Sequence, residues 1–286
     1  MKKTAIITDS NSGISPEVAK EMGIFVLPMP FMIDNNEYFE WVNLNATDFF
    51  EKLKNDSDIS TSQPTPDSIT NLWDEVLEEY DEIVHIPMSS SLSGACQTAY
   101  MLSNEYDGKV QIVDNKRISV TMKQSVRDAV KLASDGKSAE EIKNILEEHQ
   151  TNNSIYIMLD TLKYLKKGGR LTPAVATLGS ILRIKPVLQI QGGKLDTYSI
   201  ARTPNIGRKV LIDAVKKDLE TRFAELNNVK LSIAHTNNTE AAAAFAEEVK
   251  KAFPDYEIVD NDELSLSVSC HIGPGALALT CFECLD

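Results

Sequence analysis

The chain has 286 residues, of which 42% are hydrophobic and 25% charged. That composition supports a packed core in one large or two medium domains and excludes long disorder. The formal net charge of −13 repels phosphate backbones and gives no general attraction to anionic lipid, so nucleic acid and stable membrane insertion are not expected.

Taken in chain order, Thr4 to Thr8 reads as a buried strand running into the polar loop Asp9-Ser10. Ser15-Pro16 opens a helix, with serine as the cap and proline in the first turn. Ile24 to Pro30 is a second strand, Asp34-Asn35-Asn36 has turn chemistry, and Asn45 caps a helix to about Lys54. After the polar loop Ser60 to Pro64, Thr65-Pro66 starts a helix to Tyr80. Glu82 to Pro87 is a strand, Met88 to Leu92 a loop, and Ser93 begins a helix to about Leu102. Lys109 to Val113 is the next strand. Two helices follow, the second opened by the capping box at Ser138 and Glu141.

Ser154 to Leu159 is a strand, after which a short basic helix, Leu162 to Lys167, stops at Gly168-Gly169. Thr172-Pro173 opens another helix, and Gln191-Gly192-Gly193 makes a hairpin between Val187–Ile190 and Lys194–Ile200. A long amphipathic helix from Pro204 to Glu220 precedes a β-α-β unit built from Leu231–His235, Thr239–Lys251 and Tyr256–Val259. Alternating strands and helices imply an α/β protein. We expect two α/β domains, 1–159 and 160–286, each a mainly parallel sheet flanked by helices.

Leu264 to Phe282 carries no formal charge, but Ser265, Ser267, Ser269, His271 and Gly273-Pro274-Gly275 interrupt it, so it is not expected to span a membrane. The cysteines, Cys96, Cys270, Cys281 and Cys284, do not suggest a disulfide framework. The apolar run after Met1-Lys2-Lys3 is too short for a signal peptide. A reducing cytoplasm is the expected location.

Three hydroxyl-rich loops fall just past strand ends, where a parallel sheet presents its ligands: Thr8-Asp9-Ser10, Thr61-Ser62-Gln63-Pro64 and Ser89-Ser90-Ser91-Leu92-Ser93-Gly94. In the third, Ser93 stands at a helix cap and Gly94 allows close backbone approach, an arrangement suited to an anion. Capping alone, worth about 1 kcal/mol, explains the same hydroxyls. Arg170 and Arg202 supply positive charge, and each also suits an ordinary surface. His271 stands beside a Gly-Pro-Gly turn. No phosphate-binding Gly-x-x-x-x-Gly-Lys-Ser/Thr loop and no Gly-x-Ser-x-Gly elbow occurs. Cys281-Phe282-Glu283-Cys284 is half of a zinc-ribbon spacing without its second half, and the four histidines lack ligand spacing.

These loops, with Lys163-Tyr164-Leu165-Lys166-Lys167-Gly168-Gly169-Arg170-Leu171, Lys185-Pro186, Arg202-Thr203 and His271-Ile272-Gly273-Pro274-Gly275, resemble the DegV family of bacterial fatty-acid-binding proteins, in family order across nearly the whole chain. The resemblance implies two α/β domains with a long-chain fatty acid such as palmitate, stearate or oleate between them. Its carboxylate is then held by Thr61, Ser93, Gly94 and His271, while Arg170, Arg202 and Ser62 face the head group or a partner. That partner is a separate fatty acid kinase, whose acyl phosphate feeds phospholipid synthesis. The resemblance implies no catalytic residue, metal or other cofactor in this chain. Ala95-Cys96 departs from the family, which often has a hydroxyl residue after the glycine. From the residues alone two other functions stay open: an acyl hydrolase pairing Ser93 with His271, oriented by Asp9, and a phosphate or sugar-phosphate binder.

Overall fold

The computed structural model describes residues 2–55, 57–177 and 184–285. Strand β1 (Thr4–Asp9) passes through a short 3-10 turn into helix α1 (Pro16–Met22), where Ser15 Oγ accepts from Val18 N–H as a cap should. Next come β2 (Phe25–Leu27), β3 (Pro30–Ile33), β4 (Asn36–Phe39), α2 (Ala46–Lys54), β5 (Ile59–Thr61) and α3 (Pro66–Leu77). They are followed by β6 (Glu82–Ile86), α4 (Ala95–Ser103), β7 (Val110–Ile112), α5 (Ser119–Ser134) and α6 (Ala139–Glu148). The later part holds β8 (Asn153–Met158), α7 (Lys163–Lys167), α8 (Pro173–Ala176), β9 (Lys185–Gln191), β10 (Lys194–Ala201) and α9 (Pro204–Glu220). It closes with β11 (Val229–His235), α10 (Thr239–Ala252), β12 (Ile258–Glu263), α11 (Leu266–Ile272) and β13 (Leu277–Glu283).

The first sheet has the expected form: four strands, order β2-β1-β6-β7, every pairing parallel. A small antiparallel sheet, β4-β3-β5, stands apart from it. The second large sheet corrects the expectation of a mainly parallel one. Its order is β10-β9-β8-β13-β11-β12, and among the described residues only β11 and β12 run parallel. Two features cause this. The Gly192-Gly193 hairpin folds β10 back on β9, and the terminal strand β13 inserts between β8 and β11, antiparallel to both. Strand β8 belongs to this sheet, so sheet membership changes between α6 and β8, ahead of the division expected after residue 159.

Strand β8 is apolar on both faces because both are covered. Tyr156 and Met158 pack with Leu211 and Val215 of α9 and Phe245 of α10. Ile155, Ile157 and Leu159 point the other way, toward Ile118, Val120 and Val268. Helix α5 lies between the large sheets. Its Lys123 reaches Asp260 and Asp262 on or beside β12, at 3.0 and 2.7 Å, and Arg127 reaches Asp260 at 2.8 Å. The uncharged stretch from Leu264 divides into α11 and β13, and no helix among the described residues is long and apolar enough to cross a membrane.

Candidate functional site

Thr61 ends β5 and is held there by pairing with Phe31 of β3. His271 lies in the last turn of α11, whose opposite face packs Leu266 and Cys270 against Phe31, Phe49 and Phe50. The two elements bring His271 Nε2 to 2.8 Å from Thr61 Oγ1. His271 Nδ1 is buried without a hydrogen-bond partner among the described residues and faces Gly168, where any Cβ would collide with it. Only glycine at 168 lets the end of α7 approach the ring this closely.

Burial, reinforced by the Arg170 charge, pushes the His271 pKa down to about 4, so the imidazole is neutral near pH 7. Of its two tautomers, the one with hydrogen on Nδ1 would bury an unpaired donor. The Nε2–H tautomer avoids that by donating to Thr61 Oγ1, which leaves the threonine hydrogen free to point elsewhere. Arg170 itself is exposed at the rim, with Nη1 donating to Gly168 O at 3.0 Å.

Ser93 stands one residue before the position expected. Gly94 occupies the cap of α4, and Ser93 Oγ accepts from Ala95 N–H at 3.2 Å, which leaves its own hydrogen to donate. A Cβ on Gly94 would lie 2.9 Å from Gln63 Oε1, so glycine here admits the Thr61 loop against the start of α4. Gln63 Oε1 also accepts from Thr98 Oγ1 at 3.2 Å. The serine loop is anchored from behind, where Ser90 N–H and Oγ–H both donate to Asp114. Ser62 is exposed on the rim, its N–H donating to Pro30 O at 3.2 Å.

The structure thus brings together Thr61, Ser62, Ser93, Gly94, Arg170 and His271 around one opening. Arg202 is not among them: it is exposed just past β10 and does not line the cavity. The grouping of Ser93, His271 and Asp9 is not formed either. The imidazole bonds Thr61 instead, and the Asp9 carboxylate is occupied by Met88 N–H at 2.8 Å and by Asn11 N–H and Nδ2–H at 2.9 and 2.8 Å. Burial pushes the Asp9 pKa up to about 6 against these bonds, and its place is that of a pin between the ends of β1 and β6. Cys281 and Cys284 are buried, and no cluster among the described residues is placed to hold a metal ion.

Behind the opening lies a cavity of about 350 Å³. Its floor is a row of neighbours across the second sheet, Leu188, Ile157, Ala278 and Ala234, each in register with the next. Ile190, Ile155 and Thr280 form the adjoining row, with the Thr280 hydroxyl turned away to Ser232 O. Ile118 just before α5, Val120 of α5, and Val268 and Ile272 of α11 make the walls. A mouth of hydroxyl donors and an apolar interior match an amphiphile with an anionic head. The lining is the part that sequence reading missed. Its one signal was the alternation of Ile155, Ile157 and Leu159, which a strand apolar on both faces conceals.

Comparison with known proteins gives a consistent picture. The profile of the DegV family, described as uncharacterised proteins, matches residues 3–283. A DegV domain-containing protein of Staphylococcus aureus is 30% identical over 282 residues, 98% of each chain. Among solved structures, a fatty-acid-binding DegV family protein from Thermus thermophilus superposes with a TM-score of 0.88 at 26% identity, covering 98% of this chain and 99% of that one. DegV from Bacillus subtilis, described as a fatty acid binding protein, gives 0.85 at 26% identity, covering 99% and 100%.

Proposed function

The chain belongs to the DegV family, and from that premise we propose that it binds a long-chain fatty acid such as palmitate, stearate or oleate, as a carrier rather than an enzyme. The observation that carries this reading is the joining of a hydroxyl-lined mouth to an apolar cavity over Leu188, Ile157, Ala278 and Ala234. Each buried methylene contributes about 0.8 kcal/mol, so the chain supplies most of the affinity. The carboxylate must exchange water for donors. Thr61 and Ser93 each have a hydroxyl hydrogen to give, His271 fixes the Thr61 hydroxyl from behind, and Arg170 places a positive charge at the rim. Gly94, at the start of α4, adds the positive end of a helix dipole.

In this reading the acid lies tail inward with its carboxylate at the surface. A separate fatty acid kinase phosphorylates it there for phospholipid synthesis, in the cytoplasm, with Arg170, Ser62 and the more distant Arg202 facing that partner. A phosphate or sugar phosphate would leave the apolar floor uncovered, which favours the fatty acid. Organic extraction of the purified protein followed by mass spectrometry tests the reading: one long-chain fatty acid per chain is expected. Empty protein that also fails to take up added palmitate or oleate would overturn it.

A further inference from the structure

Resting on the fatty-acid reading of this cavity, we propose that Ser119 and Ser267 form a second polar subsite, which selects acyl chains bearing a hydroxyl group near the carboxyl end.

Hydroxyls in this part of the molecule are otherwise paired within the protein. On α5, Thr121 Oγ1 donates to Ile118 O at 2.8 Å and Ser125 Oγ to Thr121 O at 3.5 Å. Around α11, Ser265 Oγ donates to Asn11 Oδ1 and Ser269 Oγ to Leu264 O. Ser119 and Ser267 are the exceptions. They are 9% and 5% exposed, both line the cavity, and neither side chain has a hydrogen-bond partner among the described residues. Both hydroxyls open onto the cavity, and an unsubstituted acyl chain lying over them would cover them without offering a partner. A ligand hydroxyl that can donate to one and accept from the other supplies that partner.

Their placement sets where on the ligand this group must lie. Ser267 is four residues before His271 on α11, hence on the same face and about 6 Å along the axis from it. Ser119, at the start of α5, stands two residues after Arg117, whose carbonyl accepts from Ser89 N–H. That pairing ties it to the loop carrying Met88, which is itself bonded to Asp9 beside Asn11. Asn11 also lines the cavity, and through Ser265 it joins this corner to the start of α11. On the fatty-acid reading, this places the subsite one helical turn from His271 and the mouth, on a cavity whose floor is aliphatic.

The test compares hexadecanoate, 3-hydroxyhexadecanoate and 12-hydroxyhexadecanoate by calorimetry on the full chain, as wild type, Ser267→Ala and Ser119→Gly. Glycine at 119 keeps the left-handed backbone (φ 57°) that serine adopts there. The wild type is expected to bind the 3-hydroxy acid about three- to tenfold tighter than hexadecanoate, and the 12-hydroxy acid more weakly than either. In both variants the 3-hydroxy preference should fall to about one while hexadecanoate affinity holds. Hexadecanoate binding with no 3-hydroxy preference overturns the subsite but leaves the fatty-acid reading standing. So does a preference that survives both substitutions, or a substitution that weakens all three acids equally. If none of the acids binds, the fatty-acid reading fails and the subsite with it.

Discussion

His271 Nε2 lies 2.8 Å from Thr61 Oγ1, joining a helix near the end of the chain to a strand edge 210 residues earlier. The bond has two consequences. It makes the mouth of the cavity a property of the whole chain, since Thr61 and Ser93 come from the early part and His271 from the last. It also leaves a neutral imidazole donating to a threonine, whose own hydrogen is then available to a ligand oxygen.

Ser93→Ala is expected to weaken fatty-acid binding by about 1–3 kcal/mol, the range for a lost hydrogen bond to a charged group. The free hydrogen of Ser93 Oγ is what the substitution removes. Chain-length preference should stay as it is, because the floor is untouched. Titration calorimetry with palmitate measures both, and an unchanged Kd would remove Ser93 from the head-group site.

His271 should titrate far below an ordinary imidazole. Burial, then the Arg170 charge, lowers its folded pKa from 6.5 to about 4. A depressed histidine pKa contributes stability above pH 6.5 that is lost as pH falls toward 4. In the ligand-free protein, NMR should find the ring neutral at pH 5.5, and bound carboxylate should raise its pKa. A midpoint near 6.5 without ligand would contradict the closed environment described for the ring.

Glu40 offers a stability test with the opposite direction of shift. Its carboxyl is buried and accepts from Leu266 N–H at 2.9 Å, at the start of the helix that carries His271. Burial, aided by the charge of Glu263 and opposed by the Leu266 bond, pushes its pKa up to about 8. A raised carboxyl pKa means stability that is present below about pH 4.5 and lost as pH rises through 8. Glu40→Gln keeps an acceptor oxygen and carries no charge. Its melting temperature should match the wild type near pH 5 and exceed it at pH 9, a gain on the order of 1 kcal/mol or more. A difference that does not change with pH would show that the carboxylate is not held against its ionisation.

Ala278→Leu should shorten the accepted chain. Ala278 sits between Ile157 and Ala234 in the floor, and a larger side chain there grows into the cavity rather than into packed neighbours. Stability should change by less than the roughly 1–3 kcal/mol of ordinary overpacking. Octadecanoate binding should fall sharply, with shorter acids retained. Equal loss across all chain lengths would place Ala278 outside the acyl path.

Local chemistry was the legible part of the fold. Thr65-Pro66 and Ser138 with Glu141 start helices as read, because a cap depends on residues three apart: Thr65 Oγ1 accepts from Ser68 N–H, and Ser138 exchanges bonds with Glu141. Non-local pairing was not legible. Residues 277–283 were not read as a strand, and nothing in them announces that they pair antiparallel with both β8 and β11. Thr61, Ser93 and His271 could each be singled out as polar groups beside glycine or at element ends. That the histidine bonds Thr61 rather than Ser93 depends on packing of α11 against β5 and α2. The cavity floor was hidden for a related reason: Ala234 and Ala278 gain meaning only as neighbours in register across two strands distant in sequence.

The carboxylate's position can be measured directly by NMR of palmitate labelled with 13C at its carboxyl carbon, bound to the wild type, Thr61→Val and Ser93→Ala. One bound carboxyl signal, distinct from free palmitate and displaced by each substitution, is expected. A bound signal indifferent to both substitutions would contradict the placement of the head group at Thr61 and Ser93.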